Sequence, residues 1–84
     1  MKPGAKKTRK YFTGQLVEAR EQMKLSQEKA AKLLNISQSK LSKIENGNLK
    51  VDVYLFNDIV DLYSKPHDYF FPKPLAGNKN TIQS

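Results

Sequence analysis

Apolar residues return every three or four positions along most of this chain, the period of α-helices that bury one face. Leu16, Val17, Ala19 and Met23, with Arg20 on the same side, predict a first helix over roughly residues 14–24, with Thr13 as its N-cap. Ser26 caps a second helix over about residues 27–34, where Glu28 suits the positive end of the helix dipole and Ala30, Ala31, Leu33 and Leu34 face inward. Asn35 follows where a left-handed residue must turn the chain, and Asn is the next choice there after Gly. Ile36 plugs that turn into the core. Ser37 caps a third helix over about residues 38–46, with Leu41 and Ile44 inward and Gly47 ending it. After a loop over residues 48–51, Asp52 caps a fourth helix, the most hydrophobic, carrying Val53, Leu55, Phe56, Ile59, Val60, Leu62 and Tyr63. Pro66 sits in the first-turn slot of a short fifth helix with Tyr69, Phe70 and Phe71, which Pro72 and Pro74 stop. The expected fold is all-α, with five helices.

Two stretches lie outside this pattern. Residues 1–12 hold Lys2, Lys6, Lys7, Arg9 and Lys10 with no apolar period before Tyr11, and read as a flexible basic arm anchored by Tyr11 and Phe12. Residues 72–84 have little to bury and read as a disordered tail. Residues 13–71 are then a single small domain. At 84 residues in all, such a chain buries only roughly 60–65% of its unfolded surface.

The net charge of +7 is distributed unevenly. Residues 1–50 carry twelve Lys or Arg and four Glu, for +8; residues 51–84 carry three Lys and four Asp, for −1. A one-sided positive field favours a polyanion over a small acidic metabolite. The chain contains no Cys and one His, His67, so no disulfide, thiolate nucleophile or metal cluster is expected. A Gly-rich phosphate loop and a catalytic triad are also missing, and the reading is of a protein that is not an enzyme and needs no cofactor or metal. No apolar run approaches the ~18 residues of a membrane helix, and the N-terminal lysines precede no apolar segment of a secretory signal. A cytoplasmic location without membrane contact is the expectation.

The serine-capped pair of short helices joined by a tight turn has the layout of a helix-turn-helix. Leu25-Ser26-Gln27-Glu28, then Ala31, then Leu34-x-Ile36-Ser37, then Leu41-Ser42-Lys43-Ile44-Glu45-Asn46-Gly47, then Leu55 and Ile59, resemble the Cro/C1-type, or Xre, family of phage-repressor-like domains. Glu-Asn-Gly begins fourteen residues after Ala31, which makes the pattern specific. Asn35 stands where the family usually has Gly, and Lys65 and His67 stand where it more often has apolar residues.

The resemblance implies that helix 3 lies in the major groove of double-stranded DNA with its N-terminal end on the bases. Gln38, Ser39 and Lys43 are then the expected base readers, assisted by Ser42: Gln matches adenine N6 and N7, and Lys matches guanine O6 or N7. Gln27, Lys40, Asn46 and Asn48 are expected at phosphates, as are Lys6, Lys7, Arg9 and Lys10 of the arm, which follows the backbone or enters the minor groove. Lys43 is alternatively a phosphate contact, and Asn46 alternatively a helix cap. The family commonly pairs an Arg with a Glu at the positions of Arg20 and Glu45, implying a partly buried structural ion pair. A homodimer on an inverted repeat is the expected assembly. Tyr63, His67, Tyr69, Phe70 and Phe71 are candidates for its seam, or else they complete the monomer core. The leading reading is a sequence-specific transcriptional regulator acting as a repressor. The alternative is an antitoxin-like interaction module whose C-terminal tail folds on a protein partner.

Overall fold

A computed structural model describes the backbone of residues 3–72 and the side chains of residues 8–72. Four α-helices follow in order: α1 (Pro3–Gln22), α2 (Gln27–Leu33), α3 (Gln38–Glu45) and α4 (Val53–Tyr63), then a 3₁₀ turn (His67–Phe70). Of the expected tail over residues 72–84, residues 73–84 lie outside the described residues.

The first helix departs most from the sequence reading. It begins at Pro3 rather than near residue 14, so residues 3–12, expected as a flexible arm, are helical. Pro3 suits the first turn, where its missing N–H costs nothing. Thr13 is therefore not an N-cap: its hydroxyl donates to the Lys10 carbonyl at 3.2 Å, a back-bond within the helix. Packing explains the extension. Phe12 lies one turn before Leu16, and its ring centroid is 5.8 Å from Phe56, 6.2 Å from Phe70 and 5.5 Å from Phe71. Those separations are typical of favourable aromatic pairs. Phe12 thus continues the inner stripe of Leu16 and Ala19 toward the N-terminus, and the basic residues share that helix. Met23, expected inside, is 40% exposed because the helix has already ended.

The core gathers Leu16 and Ala19 from α1, Ala30, Ala31 and Leu34 around α2, Leu41 and Ile44 from α3, Leu55, Ile59, Val60 and Tyr63 from α4, and Phe70. Ala30 and Ala31 are fully buried, and their small side chains let α2 approach its neighbours closely. Leu33, read as inward, is instead mostly exposed. On α4 the buried stripe is Leu55, Ile59 and Tyr63, with Val60 beside it, and Val53 and Tyr54 are left largely exposed.

Each short helix is opened by a side chain and closed by a left-handed residue. Ser26 accepts from the Lys29 N–H at 3.0 Å, Ser37 from the Lys40 N–H at 3.0 Å, and Asp52 from the Leu55 N–H at 2.8 Å. At the C-termini, Leu25 donates to the Arg20 carbonyl, Ile36 to Ala31, Asn48 to Lys43 and Lys65 to Val60. These are the long bonds of the Schellman motif. Each needs positive φ one residue earlier, supplied by Lys24 (58°), Asn35 (62°), Gly47 (81°) and Ser64 (54°).

The fifth helix is not an α-helix. His67–Phe70 is a single 3₁₀ turn of four residues. Pro66 sits before it in extended conformation, φ −71° and ψ 158°, rather than in the first helical position, and Phe71 is already extended. Bounded by prolines on both sides, the segment has no room for a stable α-turn. It is held by Phe70, which is fully buried, and by Gln15, whose amide donates to the Tyr69 carbonyl at 3.2 Å.

Ser64→Gly is expected to raise stability by about 0.5–1 kcal/mol by relieving left-handed strain, whereas Gly47→Ala is expected to cost about 1 kcal/mol. Urea midpoints at constant slope provide the check. At Gly47 the added methyl meets nothing closer than 3.9 Å, so the cost is conformational rather than steric.

The Tyr63 hydroxyl is buried with no hydrogen-bond partner among the described residues. Burial pushes its pKa from the ordinary value up to about 12. The folded state therefore keeps this proton to higher pH than the unfolded state, and stability present below about pH 10 declines as pH rises through that window toward the folded value. Tyr63→Phe should keep or raise stability by up to about 1 kcal/mol at neutral pH and remove part of the alkaline decline, as measured by urea unfolding at both pH values.

Candidate nucleic-acid interface

Helix α3 has two distinct faces. Leu41, Ile44 and Glu45 are buried, with Leu41 and Ile44 each 1% exposed. Those residues fix the rotation of the helix. Gln38, Ser39, Lys40 and Lys43 are exposed and Ser42 is half-buried. Because Gln38 and Ser42, and Ser39 and Lys43, are each four residues apart, they stack in two adjacent rows on the outer side.

The inner side is anchored to α1 by a bidentate ion pair. Arg20 Nε donates to Glu45 Oε2 at 2.8 Å and Arg20 Nη2 to Glu45 Oε1 at 3.1 Å. Arg20 Nη1 also donates to the Leu25 carbonyl at 2.9 Å, which ties in the loop before α2. The side chains are 12% and 4% exposed, so both charges are largely out of water. The hydrogen bond to Glu45 is the main reason the Arg20 pKa is raised further above its ordinary value, against the opposing effect of burial.

Gln27 connects this pair to the outer face. Its Nε2 donates to Glu45 Oε1 at 3.0 Å, and its Oε1 accepts from Gln38 Nε2 at 3.4 Å. A line of polar contacts therefore runs Arg20–Glu45–Gln27–Gln38, from the buried ion pair to the first residue of α3. Sequence reasoning placed Gln27 at a phosphate and missed both of its protein contacts. Helical spacing within one element gives no signal for a pairing between two elements.

Asn46 and Asn48 are exposed after the end of α3, and their backbone N–H groups close it on Ser42 and Lys43. Arg9 and Lys10 are exposed on α1. The side chains of Lys6 and Lys7 lie outside the described residues.

Two of the seam candidates are not at the surface. Tyr63 is 1% exposed and Phe70 fully buried, so both complete the monomer core and have no area left for a partner. Their positions on the inner stripe of α4 and inside the aromatic cluster account for this. Tyr69 is half-buried and takes Lys65 Nζ over its ring at 4.7 Å. His67 is exposed, with Nε2 3.0 Å from Asn57 Oδ1 and its ring against Phe56. Phe71 is 43% exposed. Sequence reasoning did not name the exposed apolar residues Leu49 and Tyr54, and it counted Val53, which is 68% exposed, among the apolar residues of the fourth helix. For Val53 and Tyr54 the available signal was that the apolar residues of α4 cover more of its circumference than the stripe of Leu55, Ile59 and Tyr63 that the core takes.

Among the described residues, no helix is long and apolar enough to cross a membrane, and no three His, Cys, Asp or Glu side chains are grouped to hold a metal.

Two capped helices crossing at a tight turn, with the second one anchored behind and polar in front, define the helix-turn-helix class. A family model described as Helix-turn-helix matches residues 16–70, and the chain belongs to that family, of the Cro/C1 or Xre type. This is a family of DNA-binding transcription regulators, not of enzymes as a rule. No curated protein and no solved structure matches the chain.

Removing one side of the ion pair leaves a poorly hydrated charge, and Glu45→Ala is expected to cost about 3 kcal/mol. A double-mutant cycle of Arg20→Met with Glu45→Gln should give a coupling above about 1 kcal/mol, the upper range of exposed pairs. Additive effects would mean that the contact contributes nothing beyond its separate side chains.

Proposed function

We propose that this chain is a sequence-specific repressor of transcription that binds an inverted-repeat operator as a homodimer, with α3 in the major groove of each half-site. The observation that carries the reading is the outer face of α3. Gln38, Ser39 and Lys43 are exposed there, while Leu41, Ile44 and Glu45 hold the helix from behind. Gln38 is the lead residue. A Gln amide forms a paired contact with adenine N6 and N7, and Gln27 restricts its side chain before DNA arrives. Ser42 assists from its half-buried position. The second hydrogen of the Gln27 amide, not used by Glu45, is available to a phosphate.

Lys40, Asn46 and Asn48 flank the two ends of α3 and are the other proposed phosphate contacts, with Arg9 and Lys10 and, by sequence position, Lys6 and Lys7. The helical conformation of residues 3–12 changes the role proposed for the arm. An α-helix about 10 Å across does not enter a minor groove about 6 Å wide, so these cations are assigned to the phosphate backbone alone. Dimerisation follows from economy of contacts, since a single short recognition helix reads too few bases for strong preference. His67, Tyr69 and Phe71 are the seam candidates with exposed area.

Selection from random duplexes, followed by titration of the winner at two salt concentrations, tests the proposal. The expected result is an inverted repeat with half-sites about one helical turn apart, bound at least ~10³-fold better than random DNA. Gln38→Ala should lose about 1–3 kcal/mol and relax the preference at one base of each half-site. Weak binding without a consensus, erased by salt, would reject the sequence-reading role.

A further inference from the structure

The extended α1 forms one wall of an open groove whose apolar floor is not part of the proposed DNA contacts, although Arg9 and Asn48 at its edge are. It lies between α1, the loop that follows α3, and α4, with a volume of about 830 Å³. That is within the roughly 300–1,000 Å³ usual for small-molecule sites. Its walls are mainly apolar, led by Phe12, Ile44, Val51, Phe56 and Phe71. Two cations, Arg9 and Lys50, are also among its lining residues, and no Asp or Glu is among those described. The position of Arg9 is defined: its Cδ is 3.9 Å from where a methyl on Gly47 would lie, which puts its stem over the end of α3.

This charge pattern selects among occupants. A nucleic-acid backbone gains nothing from an apolar floor. A second copy placing this same groove on a two-fold axis would bring Arg9 and Lys50 toward their own copies with no acidic lining residue between them. The complementary molecule has an apolar body and one anionic head. We propose that the groove binds a single amphipathic carboxylate of the medium-chain acyl type, with its chain along Phe12, Phe56 and Phe71 and its carboxylate at Arg9 and Lys50. A guanidinium matches a carboxylate in paired geometry, and the ammonium adds an untargeted charge. The site touches Ile44 and Gly47, so its occupant rests against the end of the helix that carries Gln38. The inference stands apart from how the chain reads DNA, and it is tested without DNA because Arg9 and Asn48 are also proposed phosphate contacts.

The probe is dodecanoate, kept below its micelle concentration and titrated into the ¹⁵N-labelled full chain, with dodecanol and dodecyltrimethylammonium as neutral and cationic controls. The expected result is saturable one-to-one binding, with the largest amide shifts at residues 8–13, 44–53 and 71, and a melting temperature that rises with ligand concentration. The controls should bind at least ten times more weakly. The double variant Arg9→Gln/Lys50→Gln, which changes two exposed side chains, should keep the spectrum of the folded chain and lose dodecanoate affinity at least tenfold. Equal binding of the cationic control, non-saturating shifts across the whole chain, or unchanged affinity in the double variant would each overturn the proposal. Sedimentation of the unliganded chain as a dimer, with the same groove amides shifting on dilution, would assign the groove to a second copy and overturn it as well.

Discussion

The contact between Arg20 and Glu45 sets the geometry on which the outer face of α3, the proposed DNA-facing surface, depends. Helix α3 has eight residues, too few to persist on its own, because the nucleation cost of a helix is recovered only over longer runs. Hydrophobic packing of Leu41 and Ile44 holds it in the fold, but apolar contacts are non-directional and tolerate small rotations. A planar guanidinium meeting a carboxylate through two parallel hydrogen bonds does not. Since Glu45 is the last residue of α3, the pair fixes the rotation of the helix at its C-terminal end, while Ser37 fixes the first turn through its cap. Whatever Gln38, Ser39 and Lys43 present, they present from a helix held at both ends.

The same economy recurs at every helix boundary. With helices of seven, eight and eleven residues after α1, a large share of the backbone groups sit at termini without intrahelical partners. The chain satisfies them locally, with three side-chain caps and four Schellman closures. Two of those closures place Lys24 and Ser64 in the left-handed region, where a side chain costs energy that glycine would not. The strain is tolerated because the following residue returns to the core side of the chain: Leu25 is packed against the core after Lys24. Ser64 lies between fully buried Tyr63 and the turn that delivers Phe70. Compactness decides the backbone conformation there.

Much of this arrangement is legible in the residues, and the parts that are not share a cause. Ser26, Ser37 and Asp52 are visible as caps because their side chains have a chemical reason to stand before a helix. Asn35 and Gly47 are visible as turn residues for the same kind of reason. Lys24 and Ser64 carry no such mark. The start of α1 is hidden because the charged run before Tyr11 has no apolar period. It is helical because Phe12, far along the helix, meets an aromatic cluster assembled from α4 and the last turn. The 3₁₀ turn is misread for a similar reason: Pro66 is compatible with a first helical position, but a second proline six residues later leaves no length for it. At the interface, the outer face of α3 follows from the inward spacing of Leu41 and Ile44. The link from Gln27 to Glu45 and Gln38 is a contact between two elements, α2 and α3, and has no period to betray it.

The helical N-terminus also changes what the charge asymmetry means. As a loose arm, the cations of residues 1–12 would spread their field over many conformations and lose entropy on ordering against a polyanion. As part of α1, Arg9 and Lys10 have fixed positions relative to the Arg20–Glu45 pair and hence to α3. Under the proposed phosphate contacts, a helical array incurs less ordering cost than a loose arm, but only where its register fits, so its proposed contribution is positional as well as attractive. Phe12 is what converts one case into the other. A single aromatic side chain, buried for reasons of packing, thereby links the core of the domain to the way its surface charge is presented.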